Sequence, residues 1–94
     1  MFDMTACGSR IKELRKRDGL TQEQLADLLN TSDSHIRKTE NGQRSASIDL
    51  YIEIAGYFHV SLDYLLLGEQ YTPAQIRTDI ENVIVQLQRI ANRI

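Results

Sequence analysis

The sequence predicts an all-α fold, and three observations carry that prediction. Apolar residues recur at helical spacing in several short segments. Each segment opens on a serine or threonine and closes on glycine, asparagine or histidine, the residues that start and stop helices. No segment shows the period-two alternation of a half-buried strand.

The elements follow in order. Ser9 caps a first helix running to about Arg17, with Ile11 and Leu14 inward and Gly19 at the left-handed stop. Thr21 caps a second helix, and Gln24 completes a capping box. Leu25, Leu28 and Leu29 are its buried stripe. Asn30 tolerates the left-handed turn that follows. Ser32 caps a third helix to about Glu40, and Asn41-Gly42 marks a turn. Ser47 opens a fourth, carrying Ile48, Tyr51, Ile52, Ala55 and Phe58, with His59 at its end. Ser61 caps a short fifth with Leu62, Leu65 and Leu66, stopped at Gly68. The glycines are read as punctuating turns.

Residues 69–72 read as a linker. Thr72-Pro73-Ala74-Gln75 then starts a sixth helix, with a cap, proline at the first helical position and a glutamine to close the box. The expected division is a tail at 1–8, a domain at 9–68, the linker, and a C-terminal helix at 73–94. At 94 residues the core is small, and association between copies is a natural source of added stability.

Composition excludes several classes. Cys7 is the single cysteine, so it forms no intramolecular disulfide and no CxxC metal pair. It reads as an inert thiol in a loosely held tail. His35 and His59 lie on separate segments, with no nucleophile or carboxylate cluster to complete a catalytic or metal site. No glycine loop cradles a phosphate, and neither a cofactor nor a metal is expected. The N-terminus lacks the basic and apolar regions of a signal peptide, and the longest apolar run is Leu65-Leu66-Leu67. A cytoplasmic location with no membrane contact is the expectation.

The net charge of −2 does not by itself disfavour nucleic acid, because placement matters more than the total. Arg10, Lys12, Arg15, Lys16 and Arg17 form one basic cluster; Arg37, Lys38 and Arg44 form a second. Residues 21–40 have the spacing of two short helices joined by a four-residue turn, as a helix-turn-helix requires. The second helix of such a pair enters the major groove, which is about 12 Å wide and admits one helix.

Three blocks sharpen this reading. Leu20-Thr21-Gln22-Glu23-Gln24-Leu25-Ala26, Glu40-Asn41-Gly42 and Val60-Ser61-Leu62-Asp63-Tyr64-Leu65-Leu66 stand in order and in register. Together they resemble the helix-turn-helix domain of the lambda-repressor and Cro type, the XRE-like transcriptional regulators, from about Ser9 to Gly68. The resemblance implies a five-helix DNA-binding domain of that type, followed here by an amphipathic dimerisation helix. Three positions depart from the family pattern: Asn30 for a turn glycine, Ala46 for a loop proline, and His59 for the glycine after the fourth helix. All three lie in turns.

Carried across, the resemblance implies that Asp33, Ser34, Arg37 and Lys38 face the groove. Gln22 would meet a phosphate, while Asn41, Gln43 and Arg44 would hold the DNA backbone after the reading helix. Beyond what the resemblance implies, Ser32, the cap of that helix, and His35 are read at phosphate-side positions, and His35 could face the groove or shield the turn. Arg37 and Lys38 can donate to guanine O6 and N7 or neutralise phosphates. Asp33 can accept from cytosine N4 but also repels phosphates. Arg10 reads as a phosphate contact or an outer salt-bridge partner.

Arg15 lies four residues after Ile11, and Glu40 four after Ile36, so both point inward. A charge held there must be paired. They are expected to form one structural ion pair, as the family does. Tyr51, Tyr57, Phe58 and Tyr64 read as core packing rather than as a stacking platform for single strands.

Ile76, Ile80, Val83, Leu87, Ile90 and Ile94 are spaced four, three, four, three, four. This is a heptad seam, widened by Ile84, Val85 and Ala91, and such a seam wants a partner helix. The expected partner is a second copy, with the number and direction of strands left open. The stripe is also wide enough for one edge to lie on the fifth helix. Dimerisation would let two modules read the halves of a palindromic duplex operator. The alternative is an antitoxin or partner-binding module whose last helix binds another protein.

Overall fold

The computed structural model describes residues 1–69 and 73–93, and the side chains of all these except 73–75. The described residues form six helices: α1 (Met4–Arg17), α2 (Gln22–Leu28), α3 (Asp33–Glu40), α4 (Ile48–Phe58), α5 (Leu62–Leu67) and α6 (Pro73–Ala91). The first five share one core. Ile11, Leu25, Ile36, Ile54 and Leu65, one from each helix, are fully buried. α1 packs on α3 and α5, α2 on α3, and α4 on α5.

The local chemistry of helix ends explains the boundaries. Thr21 and Gln24 form a reciprocal capping box. Ser32, Ser47 and Ser61 each accept a backbone N–H from the third residue beyond. α1 to α4 close with the same device, a left-handed residue followed by an N–H that reaches back over six residues. The left-handed residues are Gly19, Asn30, Gly42 and His59. The closing bonds run from Leu20 to Arg15, Thr31 to Ala26, Gln43 to Lys38 and Val60 to Ala55, at 2.9–3.0 Å. Asn30 and His59 thus adopt the conformation that glycine adopts in the family pattern.

The first helix starts earlier than Ser9 predicts. Asp3 is the cap, its carboxylate accepting from Thr5 N–H at 3.0 Å and Ala6 N–H at 3.2 Å. Met4 to Gly8 are therefore helical. Cys7 is fully buried in the core rather than held loosely. Burial pushes its thiol above the ordinary range, an effect that Arg10 and Tyr51 only partly oppose. A thiol held protonated is a poor nucleophile.

Gly8 corrects a second expectation, because it punctuates no turn. It lies inside α1, where a Cβ would collide with the carbonyl oxygens of Thr39 and Glu40. Glycine is what lets α1 meet the end of α3 backbone to backbone.

Helical phase corrects others. Leu28, Ile48 and Ile52 are more than half exposed, while Leu50 and Ile54 take the buried positions on α4. Tyr51 and Phe58 are core residues, and Tyr57 stands partly in solvent. Ile48 instead borders an apolar cleft of about 420 Å³ shared with Phe2, Tyr51, Leu66 and Leu67.

Ala46, which replaces the family's loop proline, has a physical reason. Its N–H donates to the Tyr51 hydroxyl at 3.1 Å, in a buried position. Proline has no N–H to give.

α6 buries none of its described side chains from 76 to 93. Among the described side chains of its apolar stripe, Ile76 to Ile90, none is buried against α5. The molecule is accordingly elongated, at 61 × 26 × 22 Å. Ile94, Thr72 and most of the expected linker lie outside the described residues.

Two stability measurements test this packing. Gly8→Ala is expected to destabilise the fold by about 1–3 kcal/mol through overpacking; an unchanged urea midpoint would mean that α1 and α3 have room to part. Ala46→Pro is expected to cost about 1–2 kcal/mol by removing the bond to Tyr51. In a Tyr51→Phe background the same proline should be nearly neutral, and an equal cost in both backgrounds would place its effect elsewhere.

Candidate nucleic-acid interface

α2 and α3 are joined by a turn over residues 29–32, closed by the Asn30 conformation described above. α3 has two distinct faces. Ile36, Thr39 and Glu40 are buried against the domain. Asp33, Arg37 and Lys38 are exposed on the other side, with Ser34 half-buried beside them. The Asp33 carboxylate accepts the N–H of Ser34 at 2.8 Å, and Arg37 reaches the Ser34 hydroxyl at 3.5 Å. The helix thus offers two cations and one fixed carboxylate to solvent.

A buried ion pair sets the position of this helix. Arg15 Nε lies 2.7 Å from Glu40 Oε2, and Arg15 Nη2 donates to Glu40 Oε1 at 3.0 Å. The Glu40 side chain has no exposed surface, and that of Arg15 is 9% exposed. The two parallel bonds fix geometry as well as charge. Further partners use the remaining capacity. Arg15 Nη1 donates to the Leu20 carbonyl at 2.8 Å, and Gln22 Nε2 donates to Glu40 Oε1 at 3.0 Å. The carboxylate therefore joins α1, the first residue of α2 and the last of α3.

The loop after α3 is folded back on it. Asn41 N–H donates to the Arg37 carbonyl, and the N–H groups of Gln43 and Arg44 both donate to the Lys38 carbonyl. Asn41, Gln43 and Arg44 are exposed and held beside the end of the helix. Gly42 permits this twice over. Its φ is +72°, and an added Cβ would press on Thr5 of α1.

Several expected phosphate ligands have other work in this structure. Arg10 Nη1 donates to the Leu65 carbonyl at 3.0 Å, and its guanidinium lies where a Cβ on Gly68 would fall. It caps the end of α5, and among the described residues it forms no salt bridge. His35 turns toward the turn, Nδ1 lying 3.3 Å from the Thr31 hydroxyl, with Nε2 buried and unpartnered. Of its two expected roles it takes the shielding one. The Ser32 oxygen is engaged as the cap of α3, and the Gln22 amide is turned to Glu40. With Arg10 and Arg15 committed to structural bonds, Lys12, Lys16 and Arg17 are what the first basic cluster exposes. Arg17 is further paired with Asp18 at 3.0 Å. No local pattern announces the Gln22–Glu40 or Arg10–Leu65 contacts, whose partners are far apart in sequence.

Among the described residues no group of three or more His, Cys, Asp or Glu side chains is placed to hold a metal. No helix among them is long and apolar enough to cross a membrane.

The helix-turn-helix family pattern matches residues 11–65. The chain belongs to the helix-turn-helix family of the lambda-repressor type. It is similar to the transcriptional regulator ImmR of Bacillus subtilis, with 32% identity over 75 residues, covering 80% of this chain and 58% of ImmR. The chain thus spans little more than half of that relative's length. Among solved structures it resembles the restriction-modification controller protein C.AhdI of Aeromonas hydrophila, at 33% identity and a TM-score of 0.62, over 68% of this chain and 93% of that one. The P22 c2 repressor, solved with a synthetic operator, is 25% identical with a TM-score of 0.64, over 67% of this chain and 96% of that one.

The ion pair yields the next test. Glu40→Ala leaves the Arg15 guanidinium buried without its partner and should cost about 3–5 kcal/mol in chemical denaturation. Replacing both, as Arg15→Met with Glu40→Leu, should recover most of that loss. A cost below about 1 kcal/mol for Glu40→Ala, as for an exposed pair, would show that the pair does not anchor α3.

Proposed function

We propose that this helix-turn-helix protein is a sequence-specific regulator of transcription that binds duplex DNA. α3 enters the major groove, and the chain acts as a homodimer repressor on a palindromic operator in the cytoplasm. The observation that carries the reading is the division of α3 into two faces. One is locked to the domain through Ile36, Thr39 and the Arg15–Glu40 pair; the other presents Asp33, Ser34, Arg37 and Lys38 with no structural duty beyond bonds among themselves.

The chemistry of that face suits base edges. Arg37 and Lys38 donate to guanine, Asp33 accepts from cytosine, and Ser34 can do either. Asn41, Gln43 and Arg44, held at the end of α3, take the flanking phosphates; at its opening Ser32 can still donate its hydroxyl and Gln22 its second amide N–H, while His35 shields the turn. These contacts position the helix and carry no sequence information. Arg10 drops out of the phosphate set because it caps α5. The operator bound by the P22 repressor supports the mode of binding by likeness. The exposed stripe of α6 supports association of two copies, whose modules would address half-sites about 34 Å apart.

Selection from a pool of random duplexes at modest salt tests this directly. The expected product is a two-fold symmetric site. Arg37→Ala, which removes the contact from both halves, should lower affinity for it by roughly 30-fold or more, at about 1–3 kcal/mol per contact, and relax one base position in each half. Lys38→Ala should also weaken binding, and a phosphate role would show as a salt slope smaller by about two, one for each copy. A folded chain that enriches no sequence would overturn the reading.

A further inference from the structure

We propose that a second copy of this chain covers α6 in the antiparallel direction, and that this pairing sets the separation of the two DNA-reading units. The inference rests on the homodimer reading and supplies the direction that the seam spacing leaves open.

Five side chains decide it: Val83, Leu87, Asp79, Ile84 and Arg93. Seven apolar residues of α6, Ile76 to Ile90, are each about half exposed. The seam residues are Ile76, Val83 and Ile90 at one heptad position, with Ile80 and Leu87 at the other. In the heptad register of the sequence Asp79, Gln86 and Arg93 fall on one side of the seam, Arg93 in the turn just past the end of α6; Arg77, Ile84 and Ala91 fall on the other. In a parallel pair each seam residue meets its own copy, so Leu87 faces Leu87 and Val83 faces Val83. Leucine and β-branched residues in these positions do not favour two parallel strands. The flanks are worse matched, because Asp79 would lie beside the partner's Ile84.

Reversing one helix resolves both mismatches. The two seam positions now meet each other, so Val83 packs on the partner's Leu87, small against large. Ile80 packs on the partner's Ile90. Flanking residues meet their own kind across the axis, which brings Asp79 beside the partner's Arg93. Near the two-fold centre, Ile84 lies beside the partner's Ile84, where both are shielded from water. Asp79, Ile84 and Arg93 are all exposed in the single chain.

The reversed pair also has the right length. With the centre near residue 85, the two helix starts at Pro73 lie about 36 Å apart at about 1.5 Å per residue. One turn of duplex separates half-sites by about 34 Å. A parallel pair would hold both starts within about 10 Å.

The test uses the full chain in two steps. Sedimentation first establishes the mass; a monomer would overturn the homodimer reading along with this one, and a larger assembly would overturn the two-helix pair. Spin labels are then placed on Gln86→Cys and, separately, on Arg77→Cys, with the parent chain and its buried Cys7 as control. Antiparallel helices give a short distance at 86 and an axial separation of about 24 Å at 77. Equal distances at both sites in a stable dimer would overturn the direction and leave the dimer standing. Independently, Asp79→Arg should weaken the dimer roughly tenfold by repelling Arg93. Adding Arg93→Asp should restore it, and a swap that restores nothing would overturn the proposed contact.

Discussion

The bidentate bond between Arg15 and Glu40 is the constraint on which the reading helix depends. α3 has eight residues, too few to be stable alone in water, and its exposed face is entirely polar. Its orientation must come from the other face. Ile36 supplies burial there but little direction. The ion pair supplies direction, because a planar guanidinium and a carboxylate joined by two bonds tolerate little rotation. The Leu20 carbonyl and the Gln22 amide complete the shell, so the buried charges are fully engaged. Such a pair adds little net stability over a well-packed apolar one, and its value lies in the geometry it holds.

Close backbone approach works with that bond. Gly8 brings α1 against the carbonyls that end α3, and Gly42 brings the following loop against Thr5. The end of α3 is thereby clamped between α1 and its own returning loop. Asn41, Gln43 and Arg44 inherit this rigidity without making long-range bonds of their own. A recognition surface built on a helix and a tightly closed turn loses little conformational freedom when it meets a rigid duplex.

The other half of the molecule follows a different economy. α6 carries a continuous apolar seam that the domain does not cover, and α4 turns Ile48 and Ile52 outward. Five short helices build the buried core, and the apolar side chains of α6 from Ile76 on stay exposed outside it. The exposed polar face of α3 and the exposed apolar stripe of α6 thus belong to different parts of the molecule.

Much of this was legible in the order of residues. Ser32, Ser47 and Ser61 mark true helix starts, and Thr21 with Gln24 makes its box, because capping bonds join residues two or three apart. The inward phase of Arg15 and Glu40 could be read for the same reason, since helical spacing places each on an apolar face. The true start of α1 was missed because Asp3 and Ser9 are both competent caps, and only burial of Cys7 favours the earlier one. Leu28, Ile48 and Ile52 were assigned to buried stripes that their local pattern permits but that the packing leaves outside. A side chain's fate depends on which helix lies opposite, and that is settled when five helices share one core. The sequence by itself determined where α2 to α5 begin and which segments carry charge or an apolar stripe, because those properties arise within a turn or two of chain. The tertiary structure alone decided which arginine faces solvent and which caps a neighbour, and where glycine serves contact rather than a turn, because those depend on the distance between segments remote along the chain.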